Sequence, residues 1–149
     1  MMKIQGHTSV VRCLAVQGEH LFSGSYDNTI CKWNIKGECV SILKGHENWV
    51  KSLAVSNNGI LFSGSRDNTI RVWNDNDECI QVFKDADDVN ALKIWNGKLF
   101  SMSEESTLRC WSGEKTTFSF SLIFFCSFFS CRICSHLEQG ESQEFLKRF

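Results

Sequence analysis

The sequence has no proline, almost no net charge and no N-terminal apolar segment of the kind found in secreted proteins. Nothing in the composition explains the missing proline. The 16 basic and 17 acidic residues give a formal net charge of −1 at pH 7, which provides no electrostatic basis for binding nucleic acid or an anionic membrane. The first residues, MMKIQGHTSVV, do not form a signal peptide. We therefore expect an intracellular protein, cytoplasmic or alternatively nuclear, without a nucleic-acid partner.

The most apolar stretch of the chain is too short to form a membrane helix. Residues 118–131 include four serines, and a helix needs about 20 apolar residues to cross a bilayer. The composition changes near residue 113, because residues 113–149 hold eight of the 12 phenylalanines. We place a boundary there, between residues 1–112 and a tail at 113–149. Disorder, packing on a sheet edge and an aberrant coding segment are the alternatives for this tail.

Cysteine usage gives little support for disulfides or for a metal site. Five of the eight cysteines lie before the boundary: Cys13, Cys31, Cys39, Cys79 and Cys110. In a reducing compartment we interpret these five as thiols that act as small core residues. The tail contains residue types that bind zinc: Cys126, Cys131, Cys134 and His136. One Cys-x-x-Cys is a weak signal, because structural zinc sites need a second ligand pair, so we expect no metal and no cofactor.

A segment of the chain occurs twice and then a third time in altered form. Residues 22–34 read FSGSYDNTICKWN, residues 62–74 read FSGSRDNTIRVWN, and residues 100–111 read FSMSEESTLRCW. The first two copies follow a Gly-His pair, Gly6-His7 and Gly45-His46. A period near 40 residues indicates one supersecondary unit used repeatedly. We place the units at about 5–44, 45–83 and 84–112.

Each unit is predicted to form four short strands. In the second copy the strands are expected at Val50–Val55, Ile60–Ser65, Thr69–Asn74 and Cys79–Phe83, where β-branched and aromatic residues dominate. Turn signals separate them at residues 57–59 and 66–68. No segment shows a helical apolar period, so we predict an all-β fold. One four-stranded unit cannot bury both of its faces, and radial stacking of such units gives a β-propeller.

The repeated motif resembles the WD40 family, which has a Gly-His pair followed by Ser-x-Asp-x-Thr-Ile-x-x-Trp. The resemblance implies a partial WD40 β-propeller with two full four-stranded blades, a degenerate third blade and a non-repeat C-terminal tail. It also implies a hydrogen-bonded chain in each full blade. The members are His7, Ser25, Asp27 and Trp33, and then His46, Ser65, Asp67 and Trp73. Because the His, Ser and Asp recur once per repeat, we interpret them as structural and not as a hydrolase triad.

The third copy departs from the family pattern. Asp85-Ala86 stands where the Gly-His pair is expected, and Glu105 replaces the aspartate of the turn. Ser103 and Trp111 are retained. Without the histidine we predict that the hydrogen-bonded chain cannot close, and that this blade is the least stable of the three.

The candidate partner-binding residues are basic and aromatic. Arg12 and Arg66 lie in segments similar to those of F-box WD40 substrate receptors, whose arginines at matching positions bind phosphorylated peptides through bidentate contacts. Lys51 takes the place of Arg12 in the second copy. Tyr26, Trp49 and Trp95 are aromatic candidates. The alternative is that the basic residues are solvated loop residues and the aromatic ones are buried in the blades.

The function expected from these features is non-catalytic protein–protein interaction, with other proteins or peptides as partners. A substrate-recognition part of a ubiquitin ligase that binds phosphopeptides is one alternative, and the WD40 targeting region of a kinase is another. Propellers usually close with four to eight blades, whereas this chain encodes two units and most of a third. A fragment of a longer propeller, self-association into a ring and a partial propeller capped by its tail are the alternatives. Residues 1–4 resemble the end of a preceding outer strand, which favours the fragment.

Overall fold

The computed structural model describes residues 4–103, 107–111 and 118–121, and these form three four-stranded antiparallel sheets. Blade 1 consists of β1 (Val11–Gln17), β2 (His20–Ser25), β3 (Ile30–Trp33) and β4 (Cys39–Leu43). Blade 2 consists of β5 (Val50–Val55), β6 (Leu61–Ser65), β7 (Thr69–Trp73) and β8 (Cys79–Lys84). Blade 3 consists of β9 (Val89–Trp95), β10 (Lys98–Ser103), β11 (Thr107–Trp111) and β12 (Phe118–Ser121). No helix occurs within the described ranges, and the predicted all-β fold class is confirmed.

The strands of blade 2 lie where the residue pattern predicts them, to within one residue at each end. The two predicted turns are also present. Gly59 has a φ of 88° and its amide donates to the Ser56 carbonyl at 3.0 Å. Asn68 has a φ of 64°, a left-handed conformation that asparagine tolerates better than most residues. Local turn chemistry therefore determines where these strands end.

The third sheet is completed by a strand from the region predicted to be a non-repeat tail. Strand β12 pairs antiparallel with β11, in a register that places Cys110 opposite Phe118 and Thr107 opposite Ser121. Blade 3 therefore has four strands, and it extends beyond the boundary predicted at residue 112. The rest of the predicted tail, including the candidate zinc ligands, lies outside the described residues.

The blades pack face to face around their first strands, since β5 contacts both β1 and β9. The core between blades 1 and 2 contains Phe22, Ile30, Leu43, Val50, Leu53, Leu61 and Trp73. The core between blades 2 and 3 contains Ala54, Ile60, Phe62, Ile70, Val72, Val89, Leu92 and Leu99. The single sheet of the middle blade thus buries apolar residues on both faces, as the alternation of side chains along a strand allows.

The five cysteines of the described blades are free thiols in different environments. Cys31 is fully buried and Cys39 is exposed. Burial raises the pKa of the Cys13 thiol to about 12. Burial, with the nearby Cys39, raises the pKa of Cys31 to about 12 as well. Neither of these two thiols ionises at neutral pH, which suits a packing role.

Candidate functional site

A hydrogen-bonded relay links the N-terminal segment of blade 1 to its strands. The Trp33 indole N–H donates to Ser23 Oγ at 2.7 Å. Ser23 Oγ lies 2.8 Å from His7 Nε2, and His7 Nδ1 lies 2.9 Å from Asp27 Oδ2. The relay thus joins β2, β3, the turn between them and the loop that precedes β1.

Blade 2 repeats this relay with matching distances. Trp73 Nε1 donates to Ser63 Oγ at 2.8 Å, and Ser63 Oγ lies 2.7 Å from His46 Nε2. His46 Nδ1 lies 2.8 Å from Asp67 Oδ2. An ionised carboxylate only accepts hydrogen bonds, so the proton of a neutral imidazole is assigned to Nδ1. The serine hydroxyl then donates to Nε2 and accepts from the indole, which satisfies every member.

The serine of each relay is not the one that the sequence predicted. Ser25 and Ser65 are buried, but they cap the next turn, accepting hydrogen bonds from the amides of Asp27 and Asp67 at 3.1 and 3.0 Å. Ser23 takes the predicted place of Ser25 because Leu21 of β2 pairs with Trp33 of β3. Ser23, two residues after Leu21 on the same face of the sheet, is therefore the diagonal neighbour of Trp33. Ser25 lies two residues further along the strand, about 7 Å away.

The relay aspartates also organise the β-turn that carries them. Thr29 donates to Asp27 Oδ1 through its hydroxyl at 2.6 Å and through its amide at 3.0 Å, and the Thr8 amide donates to Oδ2 at 2.9 Å. Burial by itself would raise the pKa of Asp27. The hydrogen bonds from Thr29, Thr8 and His7 outweigh burial and lower this pKa to about 2.

Asp67 has the corresponding environment in blade 2. Burial again opposes ionisation, but hydrogen bonds from His46, Thr69 and the Glu47 amide lower the pKa of Asp67. The Thr69 hydroxyl donates to Asp67 Oδ1 at 2.5 Å and the Glu47 amide donates to Oδ2 at 2.9 Å. Both relay aspartates are therefore carboxylates at neutral pH.

Blade 3 closes a relay without a histidine, and the prediction that it could not do so is wrong. The Trp111 indole donates to Ser101 Oγ at 2.9 Å, and Ser101 donates to Asp85 Oδ2 at 2.9 Å. Asp85 is fully buried through its side chain and forms an ion pair with Arg109 of β11. A carboxylate accepts the serine proton as an imidazole nitrogen does, and the arginine compensates its charge. The expectation that this blade is the least stable stays a prediction.

The Ser–His–Asp order in blades 1 and 2 has the distances of a catalytic triad but not its accessibility. Ser23 is 3% exposed and Ser63 is 0% exposed. Each hydroxyl is bonded between an indole and an imidazole. A nucleophile must reach a substrate carbon, and these oxygens have no free approach. The arrangement therefore acts as a structural clamp.

Three of the candidate partner-binding residues form one stack, which we call the aromatic–cation column: Tyr26, Trp49 and Arg66. The Tyr26 and Trp49 rings are stacked with centroids 4.1 Å apart and an interplanar angle of 13°. The Arg66 guanidinium lies 4.7 Å from the centre of the Trp49 ring. These residues belong to the β2–β3 turn, the loop before β5 and the β6–β7 turn, which places the column at one end of the blades. Tyr26 and Trp49 are half-buried, so they are neither fully exposed, as a binding surface would have them, nor fully buried in the blades, as the alternative has them.

The other candidates differ in what they contact. Lys51 Nζ is 2.8 Å from Asp88 Oδ2 and 2.8 Å from Asn90 Oδ1, so its charge is already compensated. Arg66 Nε lies 3.5 Å from the same Asp88 oxygen, while 46% of its side chain is exposed. Arg12 is exposed and has no hydrogen bond or ion pair with another described residue. The Trp95 ring lies 5.9 Å from that of Phe100, away from the column.

A cleft of about 390 Å³ lies between blades 1 and 2 at the end opposite to the column. Its rim carries Glu19, from the β1–β2 turn, and Asp75 and Asp77, from the β7–β8 turn. Lys32 crosses the cleft to pair with Asp77 at 2.9 Å. The two ends of this blade interface therefore differ: the aromatic–cation column lies at one end, and three acidic side chains lie on the rim of the cleft at the other.

The described residues contain neither a candidate metal site nor a candidate membrane-spanning helix. In residues 4–103 and 107–111, no group of three or more His, Cys, Asp or Glu side chains is arranged to hold a metal ion. None of the described segments is a helix long and apolar enough to span a bilayer.

Sequence reasoning missed three features of the site: the relay serines, the threonines and the acidic substitute in blade 3. A signal for each was present. The motif Ser-x-Ser occurs at the end of the second strand in every copy, so its first serine was as good a candidate as its second. The turn threonine is likewise shared by the copies, as Thr29, Thr69 and Thr107. Asp85 stands where the Gly-His pair is expected, so an acceptor was present in the sequence at the place of the histidine.

Known proteins resemble this chain in its first two blades and in its fold. A family model described as "WD domain, G-beta repeat" matches residues 1–34 and 37–74. The chain is 40% identical over 57 residues to an uncharacterized WD repeat-containing protein of Schizosaccharomyces pombe (strain 972 / ATCC 24843), covering 33% of this chain and 15% of that protein. It is 46% identical over 46 residues to the nuclear distribution protein PAC1 of Mycosarcoma maydis, covering 30% of this chain and 10% of that protein.

A solved structure extends the likeness to a larger share of the chain. The crystal structure of RRP9 WD40 repeats matches with a TM-score of 0.69 and 27% sequence identity, over 72% of this chain and 37% of that one. The chain therefore spans about a third of the solved structure and 15% or less of the two curated relatives.

Proposed function

We propose that this chain, whose residues 1–34 and 37–74 match the WD40-repeat family model, is a non-catalytic protein-interaction scaffold that binds peptides or proteins at the aromatic–cation column. WD40-repeat proteins are in general scaffolds that bind other proteins and carry no catalytic site. The inaccessible relay serines support the same proposal for this chain. Cytoplasmic localisation, with the nucleus as the alternative, belongs to this proposal and rests on the sequence alone.

The observation that carries the proposal is the preformed stack of Tyr26, Trp49 and Arg66. Tyrosine, tryptophan and arginine are the residues most enriched at binding hot spots. All three remain accessible here, because Tyr26 and Trp49 are half-buried and Arg66 is exposed. Their mutual contacts hold the side chains in place before a partner arrives, which lowers the conformational entropy lost on binding.

The column is also anchored to the rigid part of the molecule. The Tyr26 amide donates to the Val10 carbonyl at 3.0 Å, and the Arg66 amide donates to the Trp49 carbonyl at 3.0 Å. Each turn is therefore fixed to the loop that enters the first strand of its blade. Binding residues on loops that a rigid scaffold positions are a common arrangement.

Peptide binding to the whole chain tests this proposal. A random peptide library displayed on phage is selected against the protein, and the recovered peptides are synthesised and titrated by fluorescence anisotropy. We expect Tyr26→Ala and Arg66→Ala to weaken binding about tenfold or more, the effect of losing one hot-spot contact of about 1.4 kcal/mol. Glu19→Ala, in the acidic cleft, is the matched control and should bind as the unchanged protein does. Peptides whose affinity is unchanged in Tyr26→Ala and Arg66→Ala but falls in Glu19→Ala would contradict the assignment of the binding site to the aromatic–cation column.

Recognition of phosphopeptides, as by a ubiquitin-ligase substrate receptor, is a narrower proposal that exposed Arg12 and half-exposed Arg66 support. The carboxylate of Asp88 weakens it, because this group pairs with Lys51 at 2.8 Å and also lies 3.5 Å from Arg66 Nε, so two of the three predicted cations have an anionic neighbour. The same titration with phosphorylated and unphosphorylated forms of one peptide decides it. A phosphate preference that disappears in Arg12→Ala and Arg66→Ala is the expected result, and no preference would remove this function. The kinase-targeting alternative stays a prediction from the sequence.

A further inference from the structure

The first strand of blade 1 exposes apolar side chains that the corresponding strands of blades 2 and 3 bury. We call the sheet face that carries Trp33, Trp73 or Trp111 the leading face of a blade, and the opposite face the trailing face. Trp73 packs toward blade 1 and Trp111 toward blade 2, so each leading face meets the preceding blade. The matched exposed fractions are 49% for Val11, 0% for Val50 and 0% for Val89, and 62% for Leu14, 8% for Leu53 and 7% for Leu92.

The difference is concentrated on the inner strand of the sheet, and it extends to Leu21 of β2, which is half-buried whereas its counterparts Leu61 and Leu99 are 2% and 5% exposed. On the outer strands, Val40 and Ile42 of blade 1 are 51% and 48% exposed, and their counterparts Ile80 and Val82 of blade 2 are 38% and 43% exposed. These outer positions stay accessible whether or not a blade precedes them. The uncovered surface is therefore the patch formed by Val11, Leu14 and Val16, which we call the inner-strand patch.

A glycine on each trailing face forms the socket for the valine of the next blade. A Cβ atom built on Gly24 would lie 2.6 Å from Val50 Cγ1, and one built on Gly64 would lie 2.4 Å from Val89 Cγ1. Both distances are shorter than carbon–carbon contact permits. Any side chain at this position would therefore push the next blade away.

Blade 3 lacks this socket. Met102 stands at the position of Gly64, since each precedes the last serine of the second strand in its blade, and Met102 is 46% exposed. Lys93 stands at the position of Ala54, because they pair with the equivalent phenylalanines Phe100 and Phe62. A methionine fills the space that the valine needs, and a lysine buried there would have to lose its hydration.

We propose that the inner-strand patch is a docking site for a four-stranded β-blade with glycine at the position of Gly24 and Gly64, and that blade 3 of a second copy is excluded from it. The interfaces already present in the molecule define the partner. Blades 1 and 2 cover Val50 and Val89 with glycine-containing trailing faces, and the patch on blade 1 continues the same packing. This site is independent of the aromatic–cation column, because it lies on a sheet face and not at the ends of the blades.

The test uses a variant of this chain as the docking partner for the unchanged chain. A donor chain carries Lys93→Ala and Met102→Gly, which restore the socket, and Leu14→Lys, which blocks its own patch. The acceptor is the unchanged chain, and sedimentation velocity measures their association. We expect a one-to-one donor–acceptor dimer, at least about tenfold tighter than any self-association of the unchanged chain. An acceptor carrying Leu14→Lys should not form it, although Leu14 is exposed and its replacement should leave the fold intact.

Two results would overturn the proposal. One is a donor that binds the acceptor no better than the unchanged chain binds itself. The other is self-association of the unchanged chain that Leu14→Lys abolishes, which would make a second copy the occupant. Circular dichroism verifies that each variant is folded. If glycine in the strand prevents folding, a donor with Lys93→Ala, Met102→Ala and Leu14→Lys replaces it. Because alanine is much smaller than methionine, this donor should bind less tightly than the glycine donor but more tightly than the unchanged chain.

Discussion

In blade 2 the indole of Trp73 and the hydroxyl of Ser63 are followed by a histidine, whereas in blade 3 Trp111 and Ser101 are followed by an aspartate. Both relays begin with the same two donors, and they first differ in the group that accepts the serine proton. An imidazole nitrogen and a carboxylate oxygen are both competent acceptors. The part that the fold requires is therefore an acceptor at this position, and the histidine is one way to supply it.

The two relays end in different parts of the blade. In blade 2, His46 continues to Asp67, whose carboxylate also receives the Thr69 hydroxyl in the β6–β7 turn. In blade 3, Asp85 is paired with Arg109 on strand β11. Blade 2 thus distributes its polar contacts over a turn that reaches solvent, while blade 3 concentrates them in a buried ion pair. Breaking a buried pair by removing one partner leaves an uncompensated charge, which is strongly destabilising.

The largest effect is expected from Arg109→Ala. This change leaves the Asp85 carboxylate buried without its cation, and we expect the free energy of unfolding to fall by about 3–5 kcal/mol. Arg71→Ala in blade 2 is the matched control, since Arg71 has the same strand position and no carboxylate partner among the described residues. Urea denaturation measures both. Equal losses in the two variants would show that the ion pair does not distinguish the blades.

The next effect concerns the donor that the two relays share. Trp73→Phe keeps an aromatic ring and removes the N–H, so Ser63 loses a donor and we expect a loss of roughly 1–3 kcal/mol. Trp111→Phe should cost less, because Trp111 is only half-buried and water can replace part of the lost bond. The denaturation midpoints of the two variants give the comparison. An unchanged denaturation midpoint for Trp73→Phe would show that the relay does not contribute to the stability of the blade.

Acid should weaken the blades with a histidine through their aspartates. The pKa of Asp27 in the folded protein is lowered to about 2 and that of Asp67 is also lowered, whereas an unfolded aspartate has a pKa near about 3.9. The stabilisation is complete above the unfolded pKa and is lost as the pH falls from about 4 toward 2. Urea midpoints at several pH values measure this loss. Asp67→Asn removes one titrating group and should flatten the curve; a curve identical to that of the unchanged protein would contradict its role.

The smallest effects distinguish the two turns. Thr69→Val removes the hydroxyl that donates to Asp67 and should cost about 1.5 kcal/mol, the lower range for a hydrogen bond to a charged group. The Thr107 hydroxyl instead lies 2.7 Å from that of Ser103, outside the relay. Thr107→Val should therefore cost about 0.5–1 kcal/mol. The order of the two losses in urea is the measurement, and the reverse order would mean that the turn contributes more in blade 3.

Strand positions followed from the residue pattern because turns and alternation are local properties. Gly59 and Asn68 occupy left-handed backbone positions that such residues favour, and the strands between them were placed to within a residue. The relay serine could not be chosen in the same way. Ser23 and Ser25 lie on one face of the same strand, and only the pairing of Leu21 with Trp33 brings Ser23 within reach of the indole.

The amino-acid order alone thus determined the repeat, the all-β class and the residue types that meet inside each blade, because these depend on neighbours within about forty residues. The tertiary arrangement decided the rest. It supplied Arg109 as the counter-charge for Asp85, it closed blade 3 with β12, and it left Leu14 exposed while Leu53 is buried. Identical residues can take such different environments because burial depends on which sheet stacks against them, and no residue encodes its own neighbour across an interface.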